Sequence, residues 1–422
     1  MDPRNTKSYR LGVIGFITTC NFINALDRAS LSVAVPSIIK EFHVDTATMG
    51  VALSAFFWAY VAFNMPGGNL ADRFGMKKVL GWSVAIWSVC TSLTGTARNV
   101  TQLMLARLGV GLGEASSIPI NGKVVAALFP PQERGLVMGV FLSGIRVGNA
   151  LTPIVMVFLM NLWGWRTAFI VTGAVSLLWC VVWHFGFREL SDVKVKAGPQ
   201  QKIKFPWKLI VSNRAILGLT IVKFTQDFLM WMFMTWIPAY LVMSRHFSPV
   251  TMGVYVTTAY TVAAISQPVV GWISDRLIRR GWDLNLSRKS VLVTLQLLAA
   301  GIIVTAHTDT IGIAMFFMVV AISAEAVSSA VAWTILADLV PGKTCGTVGG
   351  AINTISSIGG ILAPIMVGVI VKKTGSFQLA LTVGGCMMLV ASLCVLFVMP
   401  RIKLLESLDL KVNQPLEAGV TG

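Results

Sequence analysis

Charge is what this chain has least of. Only 12% of its 422 residues are Asp, Glu, Lys or Arg, about half the roughly 25% of a water-soluble domain, so a fold that keeps its surface in water by charge is excluded. Acids are scarcer still, 18 against 34 Lys and Arg. Histidine occurs four times, at run ends or in short loops. Of six cysteines, Cys20, Cys90, Cys180, Cys386 and Cys394 lie inside apolar runs and Cys345 at the edge of one. Neither a disulfide framework nor a metal-ligand spacing is visible among them. No Ser/His/Asp arrangement appears, and the stretches between apolar runs are too short for a catalytic domain. No enzyme, metal or cofactor is expected.

What is present is hydrocarbon: 55% apolar residues and a mean hydropathy of +0.74. Runs near 20 residues, the length that crosses a bilayer core, fall at 11–35, 47–70, 78–97, 100–128, 135–160, 166–188, 213–242, 250–274, 290–306, 311–337, 345–371 and 376–399. These predict an all-α integral membrane protein of twelve transmembrane helices. A signal peptide would need a small-residue cleavage site before Asp27; none is there, so the first run is read as an uncleaved helix.

The net charge of +16 suggests nucleic acid in a soluble chain, but its distribution excludes that partner here. Six of the 34 Lys and Arg (Lys40, Arg98, Arg166, Arg245, Lys372, Lys373) fall on one side of the runs, four lie deep within them, and the remaining 24 fall on the other side. Basic loops stay in the cytoplasm. Both termini are therefore expected there, in a multi-pass plasma-membrane protein, as in a bacterial inner membrane.

The chain is written twice. Glu114, Pro130, Gly139, Gly148 and Pro153 recur at a constant offset of 211 as Glu325, Pro341, Gly350, Gly359 and Pro364. GNLADRFGMKK at 68–78 has an echo in GWISDRLIRRG at 271–281. The division expected is a six-helix bundle at 1–188, a basic cytoplasmic linker at 189–212, a second bundle at 213–400 and a tail at 401–422. Repeated bundles facing a midplane cavity are what secondary transporters use for alternating access.

Eight ionisable residues lie deep in the runs: Asp27, Arg28, Arg107, Glu114, Arg146, Lys223, Asp227 and Glu325. Each costs about 2.5–3.5 kcal/mol at a span centre, so such residues occur with partners and a task. The four acids and four bases suggest pairing in a cavity. Lys223 and Asp227 are four apart and share a helix face, as a structural clamp or as part of the cavity. Arg107 and Glu114 share a face two turns apart, with Gly109, Gly111 and Gly113 between them allowing close helix approach. The GVGLGE string there lacks a preceding strand, which excludes a nucleotide loop. Arg28 offers a planar fork suited to a carboxylate. Asp27 and Glu114 can exchange a proton, so an anion on Arg28 and a proton on the acids would favour each other. Gln226, Asn149 and Gln267 are further donors.

GNLADRFGMKK resembles the loop signature of the major facilitator superfamily. LDRASLSVAVPSIIKEF, LSAFFWAYVAFNMPGGNLADRFG and RLGVGLGEASSIPINGKVVAALFPPQERG resemble its anion:cation symporter family, which includes bacterial sugar-acid permeases and is similar to sialin-type organic anion transporters; the likeness covers nearly the whole chain. The resemblance implies proton coupling through Asp27 and Glu114, substrate carboxylate on Arg28, Arg107 as charge partner, and substrate contacts at Tyr60, Trp333 and Asn353. It also implies a cytoplasmic gate at Asp72, Arg73, Lys77 and Lys78, with Arg134 as a partner of Asp72.

Three departures follow. Where sugar-acid relatives commonly carry a helix 5 Gln, this chain has Ile145 and then Arg146; Glu325 stands where they are often neutral; and the Lys223/Asp227 spacing resembles the hexuronate subgroup. A second carboxylate would have Arg146 or Lys223 available. The expected function is proton-coupled import of a small organic anion, a hexuronate or aldonate, by a monomer in the lipid bilayer. An aromatic or dicarboxylic acid importer and an organic anion antiporter or exporter stand as alternatives.

Overall fold

The computed structural model describes residues 7–187, 207–340 and 342–403, leaving out the side chains of residues 7, 65–69, 72, 126, 131, 132, 135, 136, 207, 208, 275, 342–344, 346 and 347. Among the described residues there is no strand. In hydrocarbon the backbone must bond to itself, and an apolar run does so as a helix.

In chain order the helices are α1 (Lys7–Phe42), α2 (Thr46–Phe74), α3 (Met76–Thr96), α4 (Val100–Glu114), α5 (Ser117–Leu128), α6 (Pro131–Gly186), α7 (Trp207–Ser212), α8 (Arg214–Met243), α9 (Pro249–Arg279), α10 (Leu284–Ala300), α11 (Ile302–His307), α12 (Ile311–Leu339), α13 (Gly342–Ser356), α14 (Ile358–Thr374) and α15 (Gln378–Leu393), the last running into a π turn at Cys394–Val398. Side chains set several starts: Asp45 accepts from the Thr48 N–H at 2.8 Å, Asn99 from Gln102 at 2.9 Å, and Asn213 from Ala215 and Ile216. Each satisfies amide donors that a helix start leaves unbonded.

These helices resolve into the twelve expected spans with local differences. The fourth span is split into α4 and α5 just after Glu114, where the Ser117 hydroxyl donates to the Glu114 carbonyl at 3.0 Å. The fifth and sixth run on as α6, turned at Gly164 with φ 78°, a backbone region that glycine enters without a Cβ penalty. Nine helical stretches among the described residues are long and apolar enough to cross a membrane. The joined and broken runs account for two of the missing three. In α9 the run is diluted by Thr257, Thr258, Thr261, Ser266 and Gln267. Trp82, Phe158, Phe185, Phe316 and Phe397 are exposed on the outer faces, where acyl chains rather than water are the fitting solvent.

The repeat is visible in the packing. A Cβ added at Gly148 would lie 2.6 Å from Ala25 Cβ, and one at Gly359 would lie 2.9 Å from the Phe228 nitrogen. So α6 rests on α1 as α14 rests on α8. The prolines five residues on face the opposite bundle. A Cβ at Gly50 of α2 would run into the Pro364 carbonyl, and one at Gly253 of α9 would lie 3.5 Å from the Pro153 carbonyl. Pro341, another repeat position, lies outside the described residues. At the end carrying the α1–α2 loop the bundles are also tied by Thr46 Oγ1 donating to the Gly368 carbonyl at 2.9 Å and by the Lys372–Asp45 ion pair at 2.7 Å.

Candidate functional site

Asp27 and Arg28 are neighbours in α1, so their side chains point about 100° apart and serve different surroundings. Asp27 is fully buried, and its Oδ2 accepts from Ser176 Oγ of α6 at 2.9 Å, while Oδ1 has no hydrogen-bond partner. Arg28 reaches across to α4. Its Nε and Nη2 both donate to Glu114 Oε2, at 3.1 and 2.8 Å. Glu114 is fully buried and its second oxygen, Oε1, is unbonded.

Three rings frame the Arg28 guanidinium: Phe56 at 4.9 Å, Tyr60 at 5.1 Å and Trp231 at 5.7 Å. Phe56 and Tyr60 stack, and Phe57 meets Trp231 edge-on at 4.4 Å. Their quadrupoles favour a cation over the ring faces, which adds to the hold of Glu114 on Arg28. Tyr60, expected from sequence as a substrate contact, stands beside Arg28. Trp231 was not singled out from sequence; its signal was position, one turn beyond Asp227 on the same face of α8.

Arg107 is 2% exposed. It lies within electrostatic range of Glu114 and Asp27, yet its Nε and Nη2 have no hydrogen-bond partner. The α4 glycines do admit neighbours closely: a Cβ at Gly111 would strike the Phe56 carbonyl, and one at Gly113 would lie 2.8 Å from the Ser83 carbonyl oxygen. With Arg28, Leu31, Ser32, Leu53, Phe56, Phe57, Trp231, Met234 and Thr235, Arg107 lines a cavity of about 20 Å³ between the bundles. That volume holds about one water, so a larger ligand enters only if the bundles move.

In the other bundle the Lys223–Asp227 pair forms at 2.9 Å. Lys223 Nζ also donates to Ser329 Oγ at 2.8 Å and stands 5.1 Å over the Trp333 ring, so Trp333 joins Lys223 rather than Arg28. Gln226 donates to Ser328 Oγ at 2.8 Å. Glu325 is 3% exposed with Oε1 unbonded; Lys223, Asp227, Arg146 and Tyr260 lie within its electrostatic range. Asn149 lines a second cavity that adjoins the first. Gln267 lines a cavity of about 150 Å³ between α9, α10 and α12, beside Arg288, which pairs with Asp338 at 3.1 Å. Asn353 is half-buried on α13 and does not line the Arg28 cavity.

Of the gate residues, Arg73 stands 5.2 Å over the Phe74 ring and Arg134 Nε donates to the Phe129 carbonyl at 2.9 Å. The side chain of Asp72 lies outside the described residues. Sequence reasoning missed the ties at the opposite end, Asp45–Lys372 and Arg166–Glu41 (2.7 Å each). The hydrogen bonds from Lys372 and from the Thr48 amide hold the Asp45 carboxyl down at about 2.

Residues 17–364 match the family described as Major Facilitator Superfamily. Over 95% of this chain and 96% of the relative, the chain is 31% identical to a probable sulfoacetate transporter, SauU, of Cupriavidus necator. Over 96% of each it is 33% identical to a probable galactarate/D-glucarate transporter, GudP, of Escherichia coli K12. Its fold matches the crystal structure of a bacterial homolog to the human lysosomal transporter Spinster, inward-facing and occupied, with a TM-score of 0.80, 19% identity and coverage of 93% of this chain and 97% of that one. A pair of six-helix bundles around a charged cavity, with these matches across nearly the whole length, makes this chain a member of the Major Facilitator Superfamily and a transporter rather than an enzyme.

Proposed function

We propose that this chain is a proton-coupled symporter that imports a small organic anion, a sugar acid such as a hexuronate or aldonate, by alternating access. It works as a monomer in the plasma membrane with both termini in the cytoplasm. The moving units are bundles at 1–188 and 213–400, joined by the cytoplasmic linker at 189–212 and followed by a tail at 401–422.

The observation that carries this reading is the Arg28 guanidinium, bound to one Glu114 oxygen and framed by three rings in the cavity between the bundles. A substrate carboxylate competes with Glu114 for that fork. Glu114, once displaced, is a buried carboxylate without its cation and takes a proton instead. Anion and proton thereby favour each other's binding to the same degree, as linkage requires. Arg107, with two donor nitrogens unbonded, gives the anion a second cation. Asp27 is the deeper proton site behind them. The relatives' names, which specify small acids, support the substrate class.

Alternating access fits the ties at the α1–α2 end: Thr46–Gly368, Asp45–Lys372 and Gly50 against Pro364. With the N-terminus inside, that end is the outer one, and this arrangement faces the cytoplasm. In the outward-facing state Asp72, Arg73 and Arg134 form the lock at the cytoplasmic end.

The test is uptake of glucuronate, gluconate and glucarate into proteoliposomes under an imposed inward proton gradient. The expected result is uptake that follows the gradient and disappears in Arg28→Gln. Exchange that ignores the gradient would replace symport with antiport.

A further inference from the structure

A tryptophan side chain is apolar except for its indole N–H, which finds an acceptor in most buried rings and is costly to leave without one. Trp165, Trp183 and Trp236 are buried and each donates it: to Glu41 at 2.6 Å, to the Lys77 carbonyl at 3.1 Å and to the Pro364 carbonyl at 3.1 Å. Trp87, fully buried on α3, does not, and its Nε1 is unbonded. Trp179 of α6 also leaves Nε1 unbonded, but of the two it is Trp87 that faces Asp27. Asp27 has the complementary gap. Ser176 donates to its Oδ2 at 2.9 Å, and its buried Oδ1 accepts nothing.

The packing brings an α3 side chain to an α1 carboxylate. α3 runs antiparallel to the second half of α6: a Cβ at Gly173 would lie 2.6 Å from the Ser88 carbonyl oxygen, and Cys180 Sγ reaches the Gly81 carbonyl at 3.2 Å. In that register Ser176, three residues past Gly173, comes level with Ala85, three residues before Ser88. A helical side chain leans toward the start of its own helix, so the Trp87 ring covers the level of Ser176. Gly113 of α4, next to Glu114, seats it from the other side: a Cβ there would lie 2.8 Å from the Trp87 nitrogen and 2.9 Å from its Cβ. Trp87 is thus held between α4 and α6, inside the first bundle, where α1 presents Asp27.

We infer that Trp87 is a positioning residue for the proton step: with Ser176 it supplies the two donors that hold Asp27 in its ionised form, so that this deep acid can give its proton up. The inference deepens the symport reading above and rests on it. A protonated carboxyl tolerates an open oxygen, whereas a carboxylate in the same dry place needs donors on both. The charged groups facing Asp27 are Glu114 and Arg107, both of α4. From the other elements come only neutral donors, the Ser176 hydroxyl of α6 and the Trp87 indole of α3. Arg107 attracts an ionised Asp27 and Glu114 repels it, so the neutral donors tip the balance toward proton release.

The test is the pH dependence of binding of labelled glucuronate, gluconate and glucarate to purified protein. Wild type is expected to bind more weakly as pH rises through a midpoint set by its acids. Trp87→Phe removes the donor and is expected to raise that midpoint by about one pH unit, a tenfold gain in proton affinity; Ser176→Ala should move it in the same direction. In proteoliposomes Trp87→Phe should lower the maximal rate of gradient-driven uptake with KM unchanged or lower, because release of the proton is impaired and binding is not. Trp183→Phe is the packing control, since it loses a ring from the same bundle whose N–H is bonded to Lys77. It is expected to lower the thermal midpoint without moving the pH midpoint. Benzothienylalanine in place of Trp87 keeps the shape of the indole and lacks the N–H, so it repeats the test without a cavity. A pH midpoint unmoved by both replacements of Trp87, or moved equally by Trp183→Phe, overturns the role of Trp87 and leaves the symport reading standing. Binding that ignores pH in wild type for all three acids, or no binding of any, overturns the symport reading and this inference with it.

Discussion

Glu114 and Glu325 are the same position of the repeat, 211 residues apart, and they have acquired different partners. Glu114 receives two hydrogen bonds from Arg28 of its own bundle. The lysine that could have served Glu325 is one helix away but committed to Asp227 and Ser329. Its remaining cation, Arg146, comes from the opposite bundle. In the proposed cycle relative motion of the bundles by itself leaves the first carboxylate beside Arg28, whereas it changes the field at the second. One repeat position thus carries two different sets of partners: a direct ion pair within its bundle at Glu114 and, at Glu325, neighbours drawn from both bundles.

The same contrast holds for the seams that close the bundles. At α2 against α14 there is no space for a Cβ at Gly50, whereas at the symmetry-related α9 against α6 a Cβ at Gly253 would sit at an ordinary 3.4 Å from Val157 Cγ2. Polar ties accompany the tight seam at Asp45 and Thr46. Closure at the α1–α2 end is consequently set by the first seam more than by the second.

The largest effects should separate the two carboxylates. Arg28→Gln should lower uptake roughly 30-fold or more, the cost of leaving Glu114 buried without its cation. Glu114→Gln should abolish accumulation driven by a proton gradient while exchange of labelled for unlabelled anion continues. In Glu325→Gln, gluconate accumulation should persist. Parallel uptake and exchange assays on the three variants check this, and equal loss of gradient-driven accumulation in both Glu variants would erase the distinction.

A smaller effect should separate the seams. Gly50→Ala should prop α2 off Pro364 at about 1–3 kcal/mol, typical of overpacking, and shift the protein toward the outward-open arrangement. Gly253→Ala should leave the balance unchanged. Alkylation of a cysteine placed at Ser32, from each side of the membrane, reports the difference.

The smallest effect belongs to Asp45. Its carboxyl is held near 2 by Lys372 and the Thr48 amide, below the ordinary value of about 3.9. A depressed acid contributes fully above its ordinary value and loses that contribution as pH falls toward the depressed one. Between pH 5 and 8 the pair should therefore be constant. Asp45→Asn should cost under about 1 kcal/mol, as exposed pairs do, and less in high salt. Thermal midpoints in detergent at low and high salt measure it.

Most of the fold was legible because lipid makes apolar run length decisive. The twelve runs, the offset of 211 and the Lys223–Asp227 pair all carry local or periodic signals. Where α4 breaks was not legible, because Ser117 caps Glu114 only once the chain has folded. The partner of Arg28 was not fixed by spacing either: Glu114 shares a helix face with Arg107, but its contact is with a residue 86 positions earlier. Trp231 was missed for a related reason. An aromatic in a span reads as packing until a guanidinium is found 5.7 Å away.

The most direct measurement of the coupling is proton uptake when anion binds. Purified protein in lightly buffered detergent, with a pH dye, is mixed with gluconate and then with glucarate. Wild type should take protons from solution on binding, and Glu114→Gln should take fewer while still binding. Binding with no proton taken up by wild type, or the same uptake in Glu114→Gln, would contradict a centre in which the anion takes Arg28 from Glu114 and the proton takes its place on Glu114.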